Sequence, residues 1–248
     1  MFIHNINPIL LQLGPIQIRY YGLFYLLGFL MVYFWLGRKI RSGELKLGKE
    51  ALEEFFLYAI IGVIAGARLF YFISSEPQTL LTDPLEILKI WHGGMSFHGG
   101  FIGAVVAAYL FSRKRKVNLY NITDNVVIAA SFALALGRIA NFINAELYGK
   151  IADVPWCVMF PGADGCRHPS QLYDAASHLI MVGMLIFIAK RKPKPGIMSW
   201  SFVLIYGVFR VITNLFRDDP RMELMIGLSA GMAVAGAVML YKLHKKTD

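Results

Sequence analysis

The sequence predicts an all-α integral membrane protein with seven transmembrane helices, an arm between helices two and three, and a small cap between helices four and five. Three observations carry that prediction. Of the 248 residues 56% are hydrophobic and 17% charged, against roughly 25% charged in soluble domains. The apolar residues gather in runs close to the ~20 that a bilayer-spanning helix needs, for a mean hydropathy of +0.53. Basic residues fall in short clusters between those runs, as they do in cytoplasmic loops.

The predicted spans are Tyr20 to Leu36, Ala51 to Ile73, Gly99 to Phe111, Ile122 to Ile143, Leu172 to Ala189, Ile197 to Phe216 and Met222 to Tyr241. The third is short, so it extends inward or tilts. Lipid offers no partner to a free backbone group, so each span is helical. The alternating pattern of a membrane β-barrel is absent. Together they make one polytopic domain over residues 1–248.

Net charge is +9, which in a soluble protein would point to nucleic acid. Here its placement excludes that class. Sixteen Lys and Arg lie in the loops after spans one, three and five and at the C-terminus; six lie on the other side. That asymmetry puts the N-terminus outside and the C-terminus in the cytoplasm. The first seventeen residues lack a basic start and a small-residue cleavage site, so the first span is read as its own insertion signal.

Small residues four apart, Gly62 with Gly66, Gly99 with Gly103, and Gly227 with Gly231 and Ala235, predict close helix packing. The connections Ser74 to Phe97 and Asn144 to Gln171 are rich in Pro, Gly and aromatic residues, which predicts folded elements rather than linkers. Cys157 and Cys166 do not form a metal-binding pattern. Both lie in the outer connection, where a disulfide is one expectation.

Ionisable groups inside a span are costly and mark function by default. Arg68, Arg138 and Arg210 sit late in spans two, four and six; Tyr21, His98, Gln171 and Tyr173 sit at or near the starts of spans one, three and five. All therefore fall in the outer half of the bilayer. Arg138 and Asn141 share a helix face, with Glu146 just beyond. Tyr206, Arg210, Asn214 and Arg217 are spaced as one polar stripe. Carboxylates are scarce there, Glu146 and Asp174 being the acids at the spans and their mouths. Unmatched arginines imply an anionic guest, and the guanidinium fork suits phosphate oxygens. At that depth a phospholipid headgroup is the economical choice. No feature calls for a metal or other cofactor. His98, flanked by glycines, has the chemistry of a proton acceptor. A transporter or flippase for an anionic lipid or solute is the alternative, but it predicts polar residues through the inner half as well.

Six ordered motifs resemble the prolipoprotein diacylglyceryl transferase family along nearly the whole chain. They are Arg19-Tyr-Tyr-Gly-Leu, Gly66-Ala-Arg-Leu, His92-Gly-Gly-Met-Ser-Phe-His-Gly-Gly, Gly137-Arg-Ile-Ala-Asn-Phe-Ile-Asn-Ala-Glu-Leu-Tyr-Gly, Arg167-His-Pro-Ser-Gln-Leu-Tyr and Tyr206-Gly-Val-Phe-Arg. The block from Gly137 to Gly149 is the most specific. The resemblance implies a seven-span enzyme of the bacterial inner membrane with a periplasmic N-terminus and a periplasmic cap over residues 144–171. It would move the diacylglyceryl group of phosphatidylglycerol to the lipobox cysteine of a prolipoprotein, forming a thioether and releasing glycerol phosphate. It implies Arg138 and Arg210 as phosphate-binding and catalytic residues, and His98, the candidate base on its chemistry, matches a further important position. Tyr21, Asn141, Glu146 and Gly149 match further important positions, and Arg68 and Arg217 are carried as lipid-binding candidates. Asn214 stands where the family commonly has glutamate, and Asp218-Asp-Pro replaces the usual Arg-Glu-Pro-Asp.

Overall fold

A computed structural model describes residues 2–13 and 16–245. The chain divides into two compact units, one of Met1–Trp35 with Asp124–Asp248 and one of Leu36–Thr123.

In the first unit, β1 (Phe2–Ile3) pairs in parallel with β4 (Val158–Met159). The next residue, His4, is buried and makes a 2.8 Å hydrogen bond through Nε2 to the Phe142 carbonyl oxygen. β2 (Ile9–Leu13) and β3 (Ile16–Arg19) form an antiparallel pair leading into α1 (Tyr20–Arg41). These strands amend the all-helical expectation. Ile16-Gln-Ile-Arg alternates apolar and polar residues, the strand period, in a stretch too short to cross a bilayer.

The rest of the unit is α5 (Leu119–Ile143), α6 (Ser170–Ala189), α7 (Ile197–Asn214) and α8 (Met222–Lys245). Asp124 holds the start of α7, its carboxylate accepting from the backbone N–H of Gly196 at 2.6 Å and of Ser199 at 2.9 Å. An acid there satisfies orphan donors and complements the helix dipole. α7 and α8 pack through glycine, but not through the glycines the spacing singled out. Nothing lies within 4 Å of where a Cβ would stand on Gly227 or Gly231. A Cβ on Gly236 would instead meet the Leu204 nitrogen at 2.6 Å, and one on Gly207 the Ser229 carbonyl at 2.7 Å. Ser229 and Gly236 are two turns apart on one face of α8, and that face is the one turned to α7.

The second unit contains α2 (Lys49–Ser75), α3 (Pro77–Thr82), single 3-10 turns at Pro84–Leu88 and Ile90–His92, and α4 (Phe97–Arg115). α2 and α4 meet through the two predicted glycine pairs: a Cβ on Gly66 would stand 2.9 Å from the Gly103 Cα. The expected arm is α3 with the 3-10 turns. Its Leu81, Leu85 and Leu88 are more than 60% exposed, an outward apolar face suited to a membrane interface. Hydrogen bonds from Lys89 and then His92 hold the Glu86 carboxyl below its usual range.

Among the described residues six helices, α1, α2, α5, α6, α7 and α8, are long and apolar enough to cross a membrane. The apolar windows of α1 and α8 are only 11% buried, so their apolar side chains face outward, as lipid contact requires. α4 matches the third predicted span lengthened at both ends to 19 residues. It falls below the apolarity of the other six because it opens on Phe97-His-Gly-Gly and closes on Ser112-Arg-Lys-Arg.

Candidate active site

In the first unit, arginines from α5, from α7 and from the segment after α7 converge on one carboxylate of α6. Asp174 lies in the second turn of α6 with its side chain 3% exposed. Its Oδ2 is 2.5 Å from Arg210 Nη1 of α7, 3.3 Å from Arg138 Nε of α5 and 3.8 Å from Arg217 Nη1, beyond the end of α7. The three arginine side chains are themselves only 10–13% exposed. Three buried cations share one carboxylate oxygen, so positive charge is in excess at Asp174 among the described residues. Asp219, 3.7 Å from Arg217, is shared with Arg221 at 3.8 Å. Arg217 lies outside the helical span. Burial, then the charges of Arg210 and Arg138, bring its guanidinium down to about 10, so it stays cationic at neutral pH.

The end of α5 supplies the rest. Arg138 Nη1 donates to Asn141 Oδ1 at 3.4 Å, and Asn141 Nδ2 donates to Glu146 Oε1 at 2.7 Å. The i, i+3 spacing of Arg138 and Asn141 is thus used as the sequence indicated. Gln171 holds the backbone here, donating from Nε2 to the Glu146 carbonyl at 2.6 Å. Ala145 and Leu147, both at positive φ, turn the chain out of the helix on either side of Glu146. Tyr21, at the start of α1, donates to the Tyr25 hydroxyl at 3.1 Å and lies within electrostatic range of Glu146 and Arg138.

Gly149 sits where backbone crosses backbone. It bridges Arg217 in an antiparallel pair, and its N–H donates to the His168 carbonyl at 2.9 Å. A Cβ there would stand 2.8 Å from both His168 Cβ and the His168 carbonyl oxygen, so only glycine fits. Arg167 clasps the same strand, donating from Nη1 to the Gly149 carbonyl at 3.2 Å and to Asp218 Oδ2 at 2.6 Å. The Cys157–Cys166 disulfide, with a Cα–Cα distance of 5.5 Å, closes the loop that ends just before Arg167.

The predicted polar stripe of span six is interrupted. α7 ends at Asn214, and Arg217 reaches Asp174 from the Gly149 bridge instead of from a third helical turn. Asp174, noted only as a scarce acid, is the hub of the cluster. His178, which the motifs passed over, lies one turn further along α6, buried and stacked on the Tyr206 ring at 5.7 Å and 6°. Two ionisable residues four apart in an apolar span were the available signal.

Arg68 and His98 belong to the second unit. Arg68 is 3% exposed, and its Nε, Nη1 and Nη2 donate to the carbonyls of Glu86, Ile87, Lys89, Gly93 and Gly94. Five donors meet five acceptors, and the guanidinium also lies over the Phe72 ring at 4.8 Å. Arg68 therefore holds the arm. His98 is half-buried in the first turn of α4, which Ser96 caps by accepting from the Gly99 N–H.

Fold and site define a multi-pass helical membrane protein with a buried, incompletely neutralised arginine cluster. The chain belongs to the prolipoprotein diacylglyceryl transferase family, whose model matches residues 8–243. It is 38% identical to the phosphatidylglycerol–prolipoprotein diacylglyceryl transferase of Rickettsia typhi, over 99% of this chain and 100% of that protein. Identity to the enzyme of the same name from Cupriavidus metallidurans is 38%, covering 99% of this chain and 97% of the other. With the Rickettsia bellii protein it is 42%, over 95% and 90%.

Proposed function

We propose that this protein transfers the diacylglyceryl group of phosphatidylglycerol to the lipobox cysteine thiol of a prolipoprotein, releasing glycerol phosphate. The observation that carries the reading at residue level is the set of three buried arginines on the single Asp174 oxygen. A phosphate supplies the missing negative charge and fills the open guanidinium donors. Family membership removes support from the transporter alternative.

The chemistry follows from the residues. The thiolate sulfur forms a bond to the glycerol carbon that bears the phosphate; the carbon–oxygen bond breaks, and its electron pair leaves on glycerol phosphate. Negative charge grows on the phosphate as it departs. Arg138 and Arg210 stabilise that charge where burial excludes water and makes the interaction strong, and Arg217 adds a third donor set. Cations nearby also favour the thiolate over a thiol of pKa about 8.5. His98 is assigned the thiol proton on chemical grounds. Asn141 and Glu146 orient Arg138, and Gly149 permits the backbone crossing that places Arg217. Tyr21 borders the lipid. Arg68 is assigned to the arm rather than to the lipid, because its donors are already taken.

The remaining architecture is part of the same proposal. α4 counts as a seventh span, with the N-terminus and cap periplasmic, the C-terminus cytoplasmic and the arginine cluster in the outer half of the inner membrane. The deciding assay mixes purified protein, phosphatidylglycerol vesicles and a lipobox peptide. The expected result is a peptide heavier by one diacylglyceryl group and an equal amount of glycerol phosphate. Product from another phospholipid but none from phosphatidylglycerol would overturn the donor assignment.

A further inference from the structure

We propose that His178 binds the glyceryl esters of the donor lipid, one helical turn below its phosphate, and so makes the enzyme selective for a diester donor. The inference rests on the reading that the arginine cluster receives the phosphate.

His178 is 3% exposed, and its Nδ1 has no hydrogen-bond partner among the described residues. Buried polar atoms are nearly always paired, because an unpaired one is a standing cost to the fold. The ring is well positioned for a missing partner: it lies parallel to the Tyr206 ring, which sets its plane. The groups facing it are Asp174 on its own helix, Arg138 on α5, and Arg210 and Tyr206 on α7. It therefore lies within electrostatic range of the arginine cluster, one helical turn from Asp174.

Depth identifies the missing partner. His178 follows Asp174 by four residues, which places it about 6 Å further along α6 at 1.5 Å per residue. The cap precedes α6 in the chain, so this step leads away from the cap and into the apolar length of the helix. A glycerophospholipid lying with its phosphate on the arginines sends its glycerol carbons and ester groups the same way. The ester carbonyl is a neutral acceptor, the right match for an imidazole N–H, while the guanidiniums suit the charged oxygens. Held by the phosphate on one side and an ester on the other, the carbon under attack has little freedom left, and that positioning accelerates the reaction.

The test compares diacyl phosphatidylglycerol with a dialkyl ether analogue of equal chain length, which keeps the headgroup and lacks the carbonyls. Wild type is expected to lose about tenfold in kcat/KM on the ether donor, the scale of one good hydrogen bond. His178→Phe, which keeps a ring to stack on Tyr206, loses about the same on the ester donor and treats the two donors alike. His178→Asn, whose amide nitrogen comes close to the position of Nδ1, regains the preference. A purely structural histidine would lower both donors together and leave their ratio unchanged, and that result overturns the proposal. Wild-type indifference to the ether analogue overturns it even if no variant folds. Arg210→Ala, run alongside, separates the two readings. If it leaves turnover intact, the phosphate assignment has failed. If it abolishes turnover while His178→Phe keeps the wild-type ratio, only the ester contact has failed.

Discussion

Two kinds of buried arginine occur in this molecule, and their surroundings differ in a way their residue type does not. In the second unit Arg68 gives its donors to five backbone carbonyls. In the first unit Arg138, Arg210 and Arg217 crowd one oxygen of Asp174. A guanidinium whose donors are all met by the chain's own backbone is scaffolding, since a ligand would have to break bonds to reach it. On the proposed reading, three that share one carboxylate are a receptor whose remaining donors an anionic headgroup would meet. Burial alone does not separate the cases: Arg68 is the more buried.

The contrast breaks most readily at the cluster. Arg138→Ala and Arg210→Ala are each expected to lower thioether formation by about 10³-fold, the upper scale for losing one preorganised charge-stabilising donor, with insertion and helix content by circular dichroism unchanged. Full turnover by the double variant would remove the receptor reading.

Asp174→Asn sharpens the same point through stability. Removing the shared carboxylate leaves three cations facing one another, a loss of about 3–5 kcal/mol by the measure of broken buried pairs. Thermal unfolding should show it, and phosphatidylglycerol should restore part of it by binding the folded state. A variant as stable as wild type in lipid-free detergent would show that the arginines do not depend on Asp174.

Arg68→Ala is expected to cost roughly 2–3 kcal/mol, the scale of hydrogen bonds from a charged group. Activity should fall only as far as the unfolding curve shifts. Lost turnover with unchanged stability would move Arg68 from scaffold to receptor and erase the comparison.

The smallest effect is expected from Cys157→Ser with Cys166→Ser. Opening a short loop typically costs about 2 kcal/mol. The expected readout is faster proteolysis between residues 150 and 168, with Arg138 and Arg210 still functional. Unchanged protease resistance would show that the Arg167 contacts to Gly149 and Asp218 hold the cap without the disulfide.

Much of the fold was legible in the chain because membrane helices are written in composition. Tyr20–Arg41, Lys49–Ser75 and Met222–Lys245 are apolar runs, the first and last with basic C-terminal ends, and a window of hydropathy finds them. The strands at Phe2–Ile3 and Val158–Met159 were not legible, because two residues have no period and their pairing depends on partners more than 150 positions apart. The glycines divide the same way. Gly66 and Gly103 were found by spacing, whereas Gly236 was missed because spacing says which residues share a face and not which face meets a neighbour.

At the site, the sequence by itself determined that arginines stand in apolar helices with few acids to neutralise them, and its ordered motifs resembled one family of lipid-modifying enzymes. Those are properties of composition and order, and they hold before any contact forms. Only the tertiary structure decided which arginines act together. Arg138, Asp174, Arg210 and Arg217 are separated by up to 79 positions and meet because α6 packs on α7, the last turns of α5 bring Arg138 to Asp174, and the Gly149 bridge returns the chain to them. Charge balance is a sum over neighbours in space, and Arg68 and Arg210 look alike until the groups within 4 Å of each are counted.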